Sequence, residues 1–115
     1  MQVVLLSGDL MVQSRLSGNL AAAGIGTQTA MSAAKLLELS TGGAVVVLDL
    51  ATTGYDLAGL VSQLKNSAPP PAAVLAFGPH VLEDQLNAAV AAGCDGVFTR
   101  GQFLASAGAI VGKLA

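Results

Sequence analysis

An unbroken apolar run lies near the middle of the chain and ends in a single acidic residue: Ala44-Val45-Val46-Val47-Leu48-Asp49. Valine favours β-strands, and a strand without alternating polar residues is typical of a parallel sheet buried on both faces. We therefore predict a strand over residues 44–48 in the centre of a parallel sheet, with helices covering both sides. Asp49 then lies at the carboxyl end of that strand.

Segments of two alternating kinds extend outward from this run in both directions. Short apolar runs predict further strands at residues 3–6, 72–77 and 96–99 and a weak one at 24–27. Apolar residues at helical spacing predict helices at 10–23, 30–39, 57–65, 81–92 and 103–114. The alternation implies an α/β fold, a three-layer, doubly wound, five-stranded parallel sheet with its functional surface at the carboxyl ends of the strands.

Size and composition indicate one globular domain over residues 1–115. The apolar fraction of 53%, with only 10% charged residues, excludes a disordered chain. The basic residues are scattered and the net charge is −2, so we expect no nucleic-acid partner and no anionic membrane surface. The first apolar run stops at Ser7, after too few residues to span a membrane. We expect a cytoplasmic protein.

Few side chains suited to catalysis are present. His80 is the only histidine and Cys94 the only cysteine. This leaves no disulfide framework, no thiolate-rich zinc site and little material for nucleophilic catalysis, so we expect no enzyme.

The residues that follow the predicted strands form the candidate functional site, because the carboxyl ends of parallel strands meet along one edge of the sheet. They are Ser7, Gly8, Asp9, Asp49, Gly78, Thr99, Arg100 and Gly101. Asp49 is the acid at the tip of the central strand. A carboxylate there can act as a nucleophile, a metal ligand, a salt-bridge partner or a turn cap.

Three segments resemble the receiver domains of response regulators, the CheY-like family. Residues 45–56 look like the phosphoacceptor strand and its loop, residues 88–103 resemble the end of helix four, the fifth strand and the Lys-Pro-Phe signature, and residues 4–9 occupy the first strand and its acidic turn. The resemblance implies a flavodoxin-like sheet with strand order 2-1-3-4-5. It makes Asp49 the phosphoacceptor equivalent and Arg100 the equivalent of the conserved lysine.

The sequence departs from the family at several of these positions. Ser7 and Gly8 stand where the family has metal-binding acids, which leaves Asp9 and Asp49 as the acids available for Mg²⁺. A hard cation prefers several carboxylate oxygens, so we expect no metal and no other cofactor. Gly78 and Val97 replace the hydroxyl residue and the aromatic residue of the family's switch. The chain is thus expected to be a degenerate receiver, or pseudo-receiver.

Asp49 and Arg100 remain as a matched pair of charges. We expect a structural salt bridge between them, since a guanidinium can take over the neutralising role of the metal. Residual phosphorylation of Asp49 is one alternative. A small anion held at the start of the first helix, beside Ser7 and Gly8, is another.

The favoured function is a stand-alone signalling domain of a two-component phosphorelay that acts through protein contacts. Its partner is expected to be a histidine kinase, a downstream regulator or a second copy of the chain. The resemblance implies contact through helix four, strand five and helix five, and Ala105, Gly108, Ala109 and Gly112 give the last helix small side chains. One alternative is an active phosphoacceptor that a histidine kinase phosphorylates on Asp49. A regulator like the anti-sigma-factor antagonists ranks last, because it needs Ser where Leu57 and Ala58 stand.

Overall fold

The computed structural model describes residues 2–40 and 43–114. Its strands are β1 Gln2–Leu6, β2 Gly26–Ala30, β3 Val45–Asp49, β4 Ala73–Gly78 and β5 Gly96–Thr99. Its helices are α1 Leu10–Ala22, α2 Ala33–Leu39, α3 Leu57–Lys65, α4 Glu83–Ala91 and α5 Arg100–Gly112. The strands are parallel and ordered β2-β1-β3-β4-β5, which confirms the predicted fold class and strand order.

β3 is the centre of the sheet, and every one of its residues is buried. Val45 and Val47 belong to the core formed with α1 and α5, whereas Val46 and Leu48 belong to the core formed with α2, α3 and α4. Burial on both faces explains why the run contains no alternating polar residues. The strand ends at Asp49, which therefore lies at the carboxyl edge of the sheet.

The second strand differs from the prediction. The prediction of a weak strand at 24–27 followed by a helix from residue 30 is wrong, because β2 continues to Ala30 and α2 begins only at Ala33. β2 lies at the edge of the sheet and pairs with β1 alone. An edge strand tolerates polar residues on its open side, so its apolar pattern is weak. The Ser32 hydroxyl accepts a hydrogen bond from the Lys35 N–H at 3.2 Å and thereby caps α2.

Two other helix starts are also shifted. α4 was expected from residue 81 but begins at residue 83, because the backbone first makes a turn in which the Leu82 N–H donates to the Pro79 carbonyl at 2.9 Å. α5 was expected from residue 103 but begins at Arg100, directly after β5. Thr99 caps it by accepting a hydrogen bond from the Gln102 N–H at 3.4 Å.

The small residues of α5 serve in part for internal packing. A Cβ on Gly108 would lie 3.0 Å from the Cβ of Ala23. The Asn19 side chain bridges the two helices, because its amide donates to the Leu104 carbonyl at 3.2 Å and its oxygen accepts from the Gly108 N–H at 2.9 Å. Gly108 therefore faces α1 and is not part of a free surface for a second copy.

The opposite end of the sheet is held by one carboxylate. Asp95 accepts a hydrogen bond from the Val74 N–H at 2.7 Å and forms a salt bridge with Lys65 at 2.7 Å. Its own N–H donates to the Val74 carbonyl at 2.7 Å. This residue thus joins the end of α3 to the start of β4.

Every described helix falls short of the length and apolar character that a bilayer-crossing segment needs.

Candidate functional site

Asp49 lies at the floor of the site and is only 3% exposed. The Ser7 hydroxyl donates to its Oδ2 at 2.8 Å, and the Ala51 N–H donates to its Oδ1 at 3.0 Å. Ser7 is itself completely buried. Each carboxylate oxygen therefore already accepts one hydrogen bond from the chain itself.

Ser7 is held in turn by the first turn of the neighbouring helix. Its hydroxyl oxygen accepts a hydrogen bond from the Asp9 N–H at 3.1 Å, and its carbonyl accepts one from the Gln13 side chain at 2.9 Å. The buried hydroxyl thus both donates and accepts, as a buried polar group requires. The network fixes the loop after β1 against the end of β3.

A second contact joins the same two loops nearer the surface. The Gly8 N–H donates to the Thr52 hydroxyl at 3.1 Å. A role for Thr52 between the loops was not predicted, because a threonine in a loop after a strand is typical of ordinary turns. The loops after β1 and β3 are thus connected at two points, through Asp49 and through Thr52.

The predicted salt bridge between Asp49 and Arg100 is wrong. Arg100 Nη2 lies 3.4 Å from Asp9 Oδ2, and in the described residues no salt bridge reaches Asp49. Arg100 begins α5, and α5 packs beside α1, where Asp9 is the N-cap. The other Asp9 oxygen accepts hydrogen bonds from the N–H groups of Met11 and Val12 at 2.9 and 3.3 Å. The guanidinium therefore has a nearer carboxylate than Asp49.

The two residues at the predicted switch positions present no polar side chain. Gly78 ends β4 and is buried, and a Cβ there would lie 3.2 Å from the Cβ of Leu50. Val97 lies in β5, pairs in register with Ala76 and packs against the core below α4. Their predicted equivalence to the family's switch residues remains a prediction.

Tyr55 is a residue of the site that the sequence analysis missed. Its hydroxyl donates to the Asp49 backbone carbonyl at 3.1 Å. Burial, and secondarily the charges of Asp49 and Cys94, raises the pKa of Tyr55 to about 12. The signal in the sequence was slight, since it consisted of a lone tyrosine six residues after the strand-end acid.

An open cavity of about 400 Å³ lies above Asp49. It is lined by Gly8, Asp9, Met31, Asp49, Ala51, Thr52 and Thr53. A second groove of about 340 Å³ adjoins it between the loop after β3 and α4, with Tyr55 among its lining residues. In residues 2–40 and 43–114, His, Cys, Asp and Glu side chains do not gather in threes at a spacing suited to a metal ion.

Comparison with known proteins finds similarity in structure only. No protein-family model and no curated protein sequence matches the chain. The BeF3-activated receiver domain of DrrB has a TM-score of 0.80 at 18% identity, over 98% of this chain and 95% of that one. A response regulator receiver domain protein from Clostridium thermocellum has a TM-score of 0.81 at 15% identity, and the match covers 98% of this chain and 92% of that one.

A longer protein shows the same similarity over part of its length. Full-length FixJ from B. japonicum has a TM-score of 0.76 at 18% identity, and the match covers 98% of this chain and 58% of that one. Identities this low show a shared fold. The strand order and the alternation of strands and helices therefore give this chain the CheY-like, flavodoxin-like fold of response regulator receiver domains.

Proposed function

We propose that the chain is a receiver-like signalling domain of two-component systems that acts through protein contacts, without Mg²⁺-dependent phosphorylation of Asp49. One observation carries this proposal, the hydrogen bond of 2.8 Å from the Ser7 hydroxyl to Asp49. At the position of Ser7, the family resemblance implies an acid that binds metal. This chain instead has a hydroxyl there, which donates a hydrogen bond to Asp49, the phosphoacceptor equivalent.

The donor set at the site does not fit Mg²⁺. The ion demands octahedral oxygen ligation, and its usual protein ligands are carboxylates. Asp9 uses one oxygen to cap α1 and the other to pair with Arg100. Asp49 accepts from Ser7 and Ala51. A metal ion would therefore gain only two carboxylates, both of which are already engaged in contacts made within the chain.

Phosphoryl transfer to Asp49 would also lack charge neutralisation. Phosphoryl transfer depends on cations that stabilise the charge on the transferred group. Arg100 is engaged by Asp9, and Gly78 offers no hydroxyl to a phosphoryl oxygen. These features support a role that requires no covalent modification and no enzymatic activity.

The partner is proposed to be a histidine kinase, a downstream regulator or a second copy of the chain. The resemblance points to the surface formed by α4, β5 and α5. Val81 and Val90 support this choice, because their side chains are 73% and 62% exposed beside and on α4. A cytoplasmic location without nucleic-acid or membrane partners belongs to the same proposal.

An active phosphoacceptor is the second candidate. It is favoured by the position of Asp49, which lines an open cavity at the edge of the sheet. The anti-sigma-antagonist alternative is not favoured, because α1 directly follows β1 and the structural neighbours are receiver domains.

The experiment that separates the two candidates is a titration with Mg²⁺, followed by beryllofluoride and by acetyl phosphate. Backbone amide NMR shifts and intact mass are the readouts, Asp49→Asn is the control variant, and the DrrB receiver domain serves as the positive control. We expect no Asp49-dependent shift and no gain in mass. A site-specific response that Asp49→Asn abolishes would establish the active phosphoacceptor instead.

A further inference from the structure

The lining of the cavity above Asp49 contains acidic residues and no basic residue. Asp9 and Asp49 are its two ionisable residues, and the other lining residues are neutral. Asp9 is paired with Arg100, whereas in the described part of the chain Asp49 lies in no salt bridge. The cavity is therefore complementary to a positive charge supplied from outside the chain.

Asp49 retains capacity to bind such a charge. An ionised carboxylate has about four acceptor positions, and two hydrogen bonds from Ser7 and Ala51 are formed here. Its 3% exposure means that water does little to stabilise the charge, and a buried carboxylate gains most from a paired cation.

One exposed apolar side chain lines the cavity, and two more directly follow a lining residue in the chain. Met31 lines it and is 66% exposed. Leu10 and Met11 follow Asp9 directly at the start of α1 and are 74% and 66% exposed. Exposed apolar residues gathered at one place mark contact surfaces, and methionine side chains adapt readily to a partner.

We propose that this cavity is a docking site for a lysine side chain of a partner protein, flanked by apolar residues that pack on Leu10, Met11 and Met31. Lysine is favoured over arginine because each Asp49 oxygen already accepts one hydrogen bond, which suits a compact ammonium better than a two-pronged guanidinium. This inference rests on the proposed function and adds a second contact surface to it, at the cavity rather than on α4, β5 and α5, with the chemistry of a contact that needs no phosphorylation.

The test uses two capped peptides, acetyl-Leu-Lys-Leu-amide and acetyl-Leu-Met-Leu-amide, titrated into the intact chain. Backbone amide NMR is followed at Gly8, Ala51 and Thr52. We expect the lysine peptide to shift these signals saturably, and the methionine peptide to bind about tenfold more weakly because it lacks the charge. Added salt should weaken the lysine peptide alone.

Three variants test whether the contact is the proposed one. Asp49→Asn should weaken the lysine peptide about tenfold, and Met31→Ser should weaken both peptides. Leu114→Ser, at an exposed apolar position after the end of α5, should change neither. Amide spectra of each variant verify that it is folded.

Several results would overturn the docking site. They are equal affinity for the two peptides, no binding, binding that Asp49→Asn leaves unchanged, shifts confined to α4, or a saturable Mg²⁺ response of the same amides that depends on Asp49. The first four leave the proposed function intact, because the beryllofluoride titration tests that function separately. The Mg²⁺ response would contradict both the docking site and the proposed function.

Discussion

Ser7 Oγ lies 2.8 Å from Asp49 Oδ2, and both side chains are almost completely buried although 42 residues separate them in the chain. The hydroxyl donates to the carboxylate and accepts from the Asp9 N–H. A group that links two loops in this way contributes to stability as well as to the chemistry of the site.

Replacement of Ser7 by alanine should lower the free energy of unfolding by about 1–3 kcal/mol, because a buried carboxylate and a backbone N–H each lose a partner. Urea unfolding followed by circular dichroism measures the change. Ser17→Ala, at an exposed position of α1, is the control and should not destabilise the protein. Equal stability of Ser7→Ala and the parent protein would contradict the proposed network.

Replacement of Thr52 by valine removes the acceptor of the Gly8 N–H and keeps the shape of the side chain. We expect a loss of about 0.5–1 kcal/mol, small because this N–H is exposed and water can replace the hydroxyl. Amide hydrogen exchange at Gly8 should become faster. The matched control is the exposed neighbour, Thr53→Val, and exchange at Gly8 that is the same in both variants would exclude the link between the loops.

The ionisation of Tyr55 can be measured directly, because it is the only tyrosine. Absorbance of tyrosinate should rise with a midpoint near pH 12 in the folded protein, against about 10 for an unperturbed tyrosine. Asp49→Asn should lower the midpoint, since the Asp49 charge is the second cause of the shift after burial.

The raised pKa of Tyr55 also sets the sign of its effect on stability. Its contribution is complete below the unfolded-state pKa and is lost as the pH rises through the folded-state value. The stability of the parent protein should therefore decline above about pH 10, and Tyr55→Phe should show less of this decline. A midpoint close to that of free tyrosine would refute the buried position of the hydroxyl.

Asp95 should make the free energy of unfolding depend on pH in the acidic range. Burial alone would raise its pKa, but the hydrogen bond from Lys65, the Val74 N–H and the charge of Lys65 outweigh burial and lower the pKa. Its stabilising contribution is thus present above the unfolded-state pKa and is lost as the pH falls through the lower, folded-state value. Asp95→Asn should cost about 1 kcal/mol at neutral pH, mainly because the Val74 N–H loses a charged acceptor. The pair with Lys65 adds little, since the two side chains are 40% and 43% exposed.

The measurement is urea unfolding at a series of pH values between about 7 and 2. Asp95→Asn should lose less stability in acid than the parent protein does. Glu38→Gln is the control, since the Glu38 and Lys35 side chains are 70% and 52% exposed and their pair contributes little. Parallel pH curves for Asp95→Asn and the parent protein would show that this carboxylate is not perturbed.

The fold could be predicted from the sequence because its determinants are local and repeated. An apolar run such as Val45 to Leu48 has to be buried on both faces wherever it occurs, and the alternation of strands and helices then implies a parallel sheet with Asp49 at its carboxyl edge. β2 was predicted less well, because an edge strand with one neighbour does not need an apolar pattern.

The partners within the site were decided by the tertiary structure alone. Arg100 pairs with Asp9, 91 residues away, although the sequence offers Asp49 as an equally suitable carboxylate. The choice depends on how α5 packs beside α1 and on the depth of Asp49 below the surface. Ser7 and Tyr55 reach the end of β3 for the same reason, since hydrogen-bond partners are set by distances of a few ångströms between loops that the linear pattern of residues does not specify.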